Sequence, residues 1–169
     1  MRMTAERIYL IGFMGAGKSS VGRELAAKLG YAFVDLDTEI KRSQKMPVQE
    51  IFRQWGEAKF RKLESEFLKQ LSERPRVVIA LGGGATIDSE NQRVVDATGV
   101  TVWLRVAFET AASRVATDGT RPLFKDKAQA RRLYESRLTN YELARIHVVA
   151  DIGTPLQIAA EISRKLQEI

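Results

Sequence analysis

The strongest chemical signal in the sequence is a glycine-rich segment that follows a short apolar run near the N-terminus. Gly12, Gly17, Lys18 and Ser19 fit the spacing G-x-x-x-x-G-K-[ST], and residues 8–11 supply the apolar run. This spacing is typical of a phosphate-binding loop between a strand and a helix. Backbone N–H groups and the positive end of the helix would surround a phosphate there. The segment therefore predicts a nucleotide-binding site.

Two simpler interpretations of this segment explain less. A secretory signal peptide has an uninterrupted apolar stretch and a small-residue cleavage site, whereas Glu6, Gly12 and Gly15 interrupt that pattern here. A plain turn would explain the glycines but not the lysine and serine at fixed spacing. We therefore predict ATP-binding roles along the loop for Gly15, Ala16, Gly17, Lys18, Ser19 and Ser20.

Within the loop, Lys18 and Ser19 carry side chains suited to different tasks. Lys18 would reach the β- and γ-phosphates, which makes it a catalytic candidate, and the Ser19 hydroxyl would coordinate Mg²⁺. Glycine is needed because a Cβ would keep the backbone from approaching phosphate oxygens. Ser20 is expected to be a helix residue with no catalytic part.

Two aspartates lie at the end of the second predicted strand. Asp35 and Asp37 alternate with Leu36, so on a continuing strand they would share one side at the carboxyl edge of the sheet, where ligands bind. Asp37 could instead cap the following helix. Beside a phosphate-binding loop, a carboxylate that organises the metal and another that acts as base toward a hydroxyl are the stronger interpretation.

Three consecutive glycines follow the third predicted strand directly, namely Gly82, Gly83 and Gly84. Such a run is costly to order, because glycine loses much conformational freedom on folding. Close approach of the backbone to a ligand gives a reason to keep it. These glycines are therefore candidates for ligand contact at the same edge of the sheet.

Hydrophobic periodicity places these motifs on alternating strands and helices. Strands are expected at residues 7–11, 32–36, 77–81, 100–104 and 147–150. Helices are expected from the glycine-rich loop to residue 29, within a long insert at 38–72 that Gly56 breaks, and at 89–98, 108–115, 128–144 and 155–166. Alternating strands and helices imply parallel pairing. The predicted fold class is α/β, a three-layer α/β/α arrangement around a central five-stranded parallel sheet.

Composition narrows the class of protein. The length of 169 residues suits one domain. The sequence contains no cysteine, which excludes disulfides, thiol catalysis and cysteine-ligated metals. The absence of cysteine also fits a cytoplasmic location. No apolar run is long enough to span a membrane. The net charge of +6 suits either nucleic acid or an anionic small substrate with a nucleotide. Charge alone does not choose between them.

Taken together, the motifs resemble the shikimate kinase family, which is related to the nucleoside monophosphate kinases and has a P-loop NTPase fold. The resemblance covers nearly the whole chain. It rests on Gly12 to Ser19, Asp35-x-Asp37, Gly56-Glu57-x-x-Phe60-Arg61-x-x-Glu64, Gly82 to Gly84, Arg121-Pro122-Leu123 and Arg137-x-x-x-Tyr141.

The resemblance implies transfer of the ATP γ-phosphoryl group to the 3-hydroxyl of shikimate, with Mg²⁺ as cofactor, by a monomer. It implies that Asp35 holds Mg²⁺ largely through water and that Asp37 binds substrate and acts as base. It also implies substrate binding by Arg61, Gly82, Gly83, Gly84 and Arg137, adenine contact by Arg114, and ATP binding and catalysis by Arg121 on a closing lid. The corresponding division is a core at about 1–36, 74–115 and 128–169, a substrate-binding insert at about 37–73 and a lid at about 116–127.

The arginine roles also have independent physical support. Planar guanidinium groups clamp a carboxylate with two parallel hydrogen bonds. Arg61 and Glu64 are i,i+3 neighbours, so the acid can hold the guanidinium in place. For any one arginine considered alone, however, a solvated helix face is the simpler interpretation.

Several alternative functions remain open from the sequence. A gluconate-type kinase would share the phosphate machinery but would give no reason for the Arg61 and Arg137 motifs. A switch GTPase lacks support because no Asn-Lys-x-Asp segment is present. A nucleic-acid ATPase or a non-catalytic nucleotide-binding module is also conceivable. The short loop at residues 151–155 leaves nucleobase selectivity undetermined, and Lys45 stands where many relatives carry glycine.

Overall fold

The computed structural model describes residues 5–116 and 126–169, and five parallel strands form one sheet in this part of the chain. The order across the sheet is β2-β3-β1-β4-β5. The predicted α/β class with a central five-stranded parallel sheet is confirmed. The strands are β1 (Arg7–Ile11), β2 (Ala32–Asp35), β3 (Val77–Ala80), β4 (Val100–Arg105) and β5 (Ile146–Val149).

Helices connect the strands and cover the sheet. Helix α1 packs against α7 and against β3, whereas α4 contacts β4 and also packs against α3. The helices are α1 (Lys18–Leu29), α2 (Leu36–Gln44), α3 (Val48–Leu71), α4 (Ser89–Thr98), α5 (Phe108–Ala116), α6 (Lys127–Tyr141) and α7 (Pro155–Leu166).

The central strand shows why the sheet forms here. Ile8, Tyr9 and Leu10 of β1 are all fully buried, because a strand in the middle of a parallel sheet has helices over both faces. Its register fixes the neighbouring loops, since Leu10 is paired with Ala80 of β3 and Ile11 with Trp103 of β4. The segments that follow β1 and β3 therefore leave the sheet side by side.

The second strand ends earlier than predicted. It stops at Asp35, and α2 begins at Leu36. Asp35 is the N-cap of that helix, because its Oδ1 accepts a hydrogen bond from the Thr38 backbone N–H at 3.1 Å. The expectation that strand alternation aligns Asp35 with Asp37 is therefore wrong, and so is capping by Asp37. N-capping by aspartate favours the start of a helix over another strand residue.

The observed boundaries of other helices and strands differ from the predicted ones by a few residues. The fifth strand begins one residue earlier than predicted, at Ile146, and α6 ends at Tyr141 rather than at residue 144. The predicted break at Gly56 is present as a kink within α3, where this residue has φ 80° and ψ 168°. Glycine adopts that conformation without the steric penalty of a Cβ. Long helix α3 thus changes direction between its two halves.

The insert that separates β2 from β3 consists of α2 and α3. Leu36 and Ile40 of α2 and Ile51 of α3 are fully buried, which fixes the insert against the rest of the structure. None of the described helices is long and apolar enough to cross a membrane. Most of the predicted lid, with Arg121 and its Arg-Pro-Leu motif, lies outside the described residues.

Candidate active site

The glycine-rich loop leaves the carboxyl end of β1 and leads directly into α1. Gly12, Gly15 and Gly17 all have positive φ, at 146°, 82° and 91°. The Ala16 N–H donates to the Phe13 carbonyl at 3.1 Å, which closes the turn. No side chain caps α1 at Gly17, and a helix N-terminus of this kind binds phosphate through backbone N–H groups.

Gly15 and Gly17 provide a matched test of this backbone. A Cβ on Gly15 would lie 2.8 Å from the Ala111 carbonyl oxygen, whereas a Cβ on Gly17 would meet nothing closer than 3.9 Å. At either site alanine would have to adopt a left-handed backbone conformation, which costs about 1–2 kcal/mol because of its Cβ. We expect Gly15→Ala to lower the free energy of unfolding by more than Gly17→Ala, because only the first adds a backbone clash. Chemical denaturation without ligands measures the free energy of unfolding of both variants. An equal decrease in the two variants would contradict the close contact between Gly15 and α5.

Lys18 and Ser19 begin α1 and face two different partners. The Lys18 Nζ donates to the carbonyl oxygen of Gly12 at 2.5 Å and to that of Phe13 at 3.3 Å. The Ser19 hydroxyl donates to Asp35 Oδ2 at 2.5 Å. The loop after β1 is thereby joined to the end of β2. A serine hydroxyl and a carboxylate stand together beside the phosphate-binding backbone.

This pair of oxygen donors fits a magnesium ion. Mg²⁺ in phosphate-transfer sites is held by one or two protein oxygens, substrate phosphates and water rather than by a full protein cage. Among the residues that the structure describes, no group of three or more His, Cys, Asp or Glu could hold a metal ion. Ser19 and Asp35 therefore suit a cation that arrives with a nucleotide.

Arg61 and Arg137 converge from opposite sides on the glycine run. A Cβ on Gly84 would lie 2.7 Å from Arg61 Nη2 and 3.2 Å from Arg137 Nη2. Arg61 comes from the second half of α3 and Arg137 from α6. Gly84 has no side chain to occupy this place, so two guanidinium groups and the loop backbone surround a single point. Such a pair can clamp one carboxylate.

The guanidinium of Arg61 is held by a buried acid. Glu64 is 1% exposed, and its Oε1 accepts from Arg61 Nη1 at 2.8 Å. Burial raises the pKa of Glu64, while the charge and hydrogen bond of Arg61 act in the opposite direction. A second acid, Glu57, is 3.5 Å from Arg61 Nη2. The i,i+3 contact expected from the sequence is present.

The glycine run at residues 82–84 also lies next to Asp37 and to the phosphate-binding loop. A Cβ on Gly82 would lie 3.1 Å from Asp37 Oδ1, and a Cβ on Gly83 would lie 3.4 Å from the Gly12 carbonyl oxygen. That oxygen accepts the hydrogen bond from Lys18. The phosphate-binding loop and the guanidinium pair therefore both border the glycine run, and the region that they border is termed the crevice.

Tyr141 holds the glycine run in place through a hydrogen bond. Its hydroxyl donates to the Gly83 carbonyl at 2.6 Å, and burial raises its pKa to about 12, so it remains protonated. Thr86 and Asn140 exchange two further hydrogen bonds, at 2.7 and 2.8 Å, between this loop and α6. Sequence reasoning assigned no role to Thr86 or Asn140. They are 54 residues apart and belong to no motif, so nothing in the sequence paired them.

Arg114 lies at the other side of the phosphate loop. Its guanidinium donates to the carbonyl oxygens of Gly15 at 3.1 Å, Ala150 at 2.8 Å and Asp151 at 3.3 Å. It thereby links α5, the phosphate loop and the segment after β5. Ser20 lies within α1 and is exposed. Adenine contact by Arg114 and ATP contact by Ser20 stay predictions.

Comparison with known proteins decides the family. The family model described as Shikimate kinase matches residues 14–167, which is nearly the whole chain. The chain belongs to the shikimate kinase family. A curated shikimate kinase from Persephonella marina is 39% identical over 161 residues, covering 95% of this chain and 98% of that protein.

Solved shikimate kinases share the fold closely. The enzyme from Acinetobacter baumannii, in complex with shikimate, is 34% identical with a TM-score of 0.92, covering 98% of this chain and 94% of that one. The enzyme from Aquifex aeolicus is 39% identical with a TM-score of 0.86, covering 95% and 96%. A gluconokinase from Sinorhizobium meliloti, at 20% identity and a TM-score of 0.65, shares only the fold.

Most of the predicted site residues of this shikimate kinase family member lie together. One edge of the sheet brings together the start of α1 with Lys18 and Ser19, the junction of β2 and α2 with Asp35 and Asp37, and the three glycines after β3, and α3 and α6 add Arg61 and Arg137. Arg121 lies outside the described residues. The proximity of these groups is a structural fact, whereas the role of each residue stays a prediction.

Proposed function

We propose that this protein transfers the γ-phosphoryl group of ATP to the 3-hydroxyl of shikimate, giving shikimate 3-phosphate and ADP in the synthesis of chorismate and aromatic amino acids. The observation that carries the proposal is the convergence of Arg61 and Arg137 on Gly84, in the same crevice as Lys18. A phosphate-binding loop alone would suit many kinases. Paired guanidinium groups beside it favour an acceptor that bears a carboxylate.

At the nucleotide end, the phosphates of ATP bind the backbone of residues 13–19, and Lys18 moves from the Gly12 and Phe13 carbonyls to the β- and γ-phosphates. Ser19, and Asp35 through water, would hold Mg²⁺, which neutralises charge on the phosphates. Arg114 flanks the adenine. Arg121, which the resemblance places on a lid, stabilises the charge of the transferring group.

At the acceptor end, Arg61 and Arg137 hold the carboxylate of shikimate, and the backbone of residues 82–84 contacts the ring and its hydroxyls. Glu64 keeps Arg61 in place through their 2.8 Å hydrogen bond. The Tyr141 hydroxyl holds Gly83 through a hydrogen bond to its carbonyl oxygen. A preorganised clamp of this kind reduces the entropy lost when the reacting groups are aligned.

The transfer itself requires one proton acceptor and an in-line displacement. The 3-hydroxyl oxygen forms a bond to the γ-phosphorus, the bond from that phosphorus to the oxygen bridging to ADP breaks, and the hydroxyl proton passes to an Asp37 carboxylate oxygen. Asp37 lies beside Gly82 at the junction of the two ends of the crevice. Positioning and charge stabilisation provide most of the acceleration in such reactions.

We further propose that a monomer in the cytoplasm carries out this reaction. A single chain supplies both ends of the crevice, since the residues that border it come from α1, α2, the segment after β3, α3 and α6 of the same chain. ATP as co-substrate and a sequence without cysteine suit a reducing compartment.

An acceptor panel tests the proposal. ADP release is measured with Mg²⁺ and ATP in the presence of shikimate, gluconate, nucleoside monophosphates or no acceptor. We expect turnover with shikimate that requires Mg²⁺ and little release in the other reactions. Turnover with gluconate but not with shikimate would overturn the substrate, and nucleotide binding without turnover on any acceptor would favour a non-catalytic module.

Arg61→Lys tests the carboxylate clamp. Lysine keeps the charge but loses the two parallel donors, so we expect shikimate binding to weaken by about 1–3 kcal/mol while ATP affinity hardly changes. Titration of each ligand separately measures the effect. Arg53→Lys is the matched control, because Arg53 lies on the same helix with its side chain 72% exposed. Weaker ATP binding with unchanged shikimate binding would refute the assigned role.

A further inference from the structure

Glu64 is a buried acid with one satisfied and one unsatisfied oxygen. Its Oε1 accepts the hydrogen bond from Arg61, whereas Oε2 has no hydrogen-bond partner among the described residues. Oε2 lies beside the glycine run, 3.0 Å from the position of a Cβ on Gly82. A buried carboxylate oxygen without a donor is costly while the group is charged. A proton on Oε2 would turn that acceptor into a donor.

Burial and the charges around Glu64 act in opposite directions on its pKa, and their net effect raises it. Burial raises its pKa, Arg61 and Arg137 lower it, and the neighbouring Asp37 carboxylate raises it. Asp37 Oδ1 and Glu64 Oε2 lie 3.1 and 3.0 Å from the same point beside Gly82. The two guanidinium groups therefore stabilise Glu64 in its ionised form.

The proposed substrate uses the same two guanidinium groups. A carboxylate bound between Arg61 and Arg137 brings a third negative charge close to Glu64 and Asp37 in a site of low dielectric. It also interacts with the two guanidinium charges and so weakens their stabilisation of the ionised form of Glu64. Neutralising the most buried of the three acids relieves this repulsion.

On the basis of the proposed function, we infer that Glu64 takes up a proton from solvent when the substrate carboxylate binds to Arg61 and Arg137. The protonated Oε2 then donates a hydrogen bond inside the crevice, and Oε1 continues to accept from Arg61. Glu64 is thus a positioning residue that admits an anionic substrate without an excess of negative charge.

Other titratable groups near Glu64 do not supply this proton uptake. The guanidinium groups of Arg61, from the same helix, and of Arg137, from α6, have no position for a further proton. Tyr141, with a pKa of about 12, remains protonated. The His147 ring packs against Trp103, with ring centroids 5.2 Å apart, and its Nε2 is paired with the carbonyl oxygens of Glu142 and Ala144. Asp37 faces Glu64 directly, so the test must replace Glu64 alone.

Isothermal titration of the full chain with shikimate, in buffers of different ionisation enthalpy, counts the protons. We expect net uptake of up to about one proton per shikimate in the unaltered protein. Affinity should be greatest at low pH and fall as pH rises between the pKa of Glu64 in the free protein and its higher value in the complex. The steepest change in Kd is about tenfold per pH unit for one proton. Between about pH 6 and 9 the substrate carboxylate stays ionised.

Glu64→Gln should abolish most of the uptake and flatten the pH dependence of Kd, because an amide does not titrate. Glu66→Gln, an exposed acid two residues along the same helix, should leave both unchanged. Shikimate binding without proton uptake in the unaltered protein would refute the inference and leave the proposed function intact. Uptake that persists in Glu64→Gln would assign the proton to another group. No binding of shikimate at all would refute the proposed function itself.

Discussion

Asp37→Asn lowers turnover with shikimate by about 10²–10⁴, the range expected when a general base is removed. Asparagine has nearly the same shape and still hydrogen-bonds a hydroxyl, but it cannot accept the proton that leaves the 3-hydroxyl. Shikimate affinity should therefore change only a few-fold. Steady-state turnover, together with a shikimate titration, measures the two effects separately.

Asp96→Asn is the matched control, because Asp96 is exposed on α4 away from the crevice. It should retain full turnover. If Asp37→Asn were folded and equally active, the base would have to be another group or none. If it lost shikimate binding and kept its maximal turnover, Asp37 would be a binding residue only.

Lys18→Met lowers maximal turnover by about 10²–10³, which is the cost of removing one preorganised donor from developing charge. The methionine side chain fills similar space but cannot neutralise the β- and γ-phosphates. Turnover at saturating ATP measures the loss. Binding of shikimate in the absence of nucleotide should be unchanged, because Lys18 contacts the Gly12 and Phe13 carbonyls and not the guanidinium pair.

Lys28→Met controls for the loss of one positive charge on the same helix, since Lys28 is exposed in the last turn of α1. It should behave as the unaltered protein. A Lys18→Met protein that only required more ATP, with the same maximal rate, would show that the lysine binds the ground state and the transition state equally.

The phosphate-binding loop was predictable because each of its features is local. Three glycines with positive φ, a lysine and a serine are needed at fixed spacing between a strand and a helix, and the sequence displays them within eight residues. The alternation of apolar runs and helical patterns likewise predicted the parallel sheet. Local chemistry and periodicity were sufficient for both.

The place of Asp37 shows where local reasoning failed. Strand periodicity continued through Asp35, Leu36 and Asp37, yet the capping hydrogen bond from Thr38 to Asp35 ends the strand and turns Asp37 into a helix residue. Asp35 instead accepts a hydrogen bond from Ser19, whereas Asp37 lies beside Gly82. Whether Asp35 caps a helix or continues the strand depends on the tertiary position of α2, which is anchored by buried Leu36 and Ile40.

Apart from the contact between Arg61 and Glu64, the supports of the site could not be predicted from the sequence. The Thr86–Asn140 pair and the contact from Tyr141 to Gly83 join residues that are more than fifty positions apart. The unsatisfied oxygen of Glu64 is also a property of packing, because its burial depends on the glycine run and on α6. Such contacts follow from the assembled fold rather than from any segment of the sequence.

Comparison of shikimate with its methyl ester most directly tests whether the crevice binds the carboxylate of the acceptor. The ester keeps every hydroxyl but removes the charge that Arg61 and Arg137 would clamp. We expect kcat/KM to be at least about a hundredfold lower for the ester, since two charge-assisted hydrogen bonds are lost. Arg61→Lys should have little further effect on the ester. Equal kcat/KM for acid and ester would show that Arg61 and Arg137 do not bind an acceptor carboxylate.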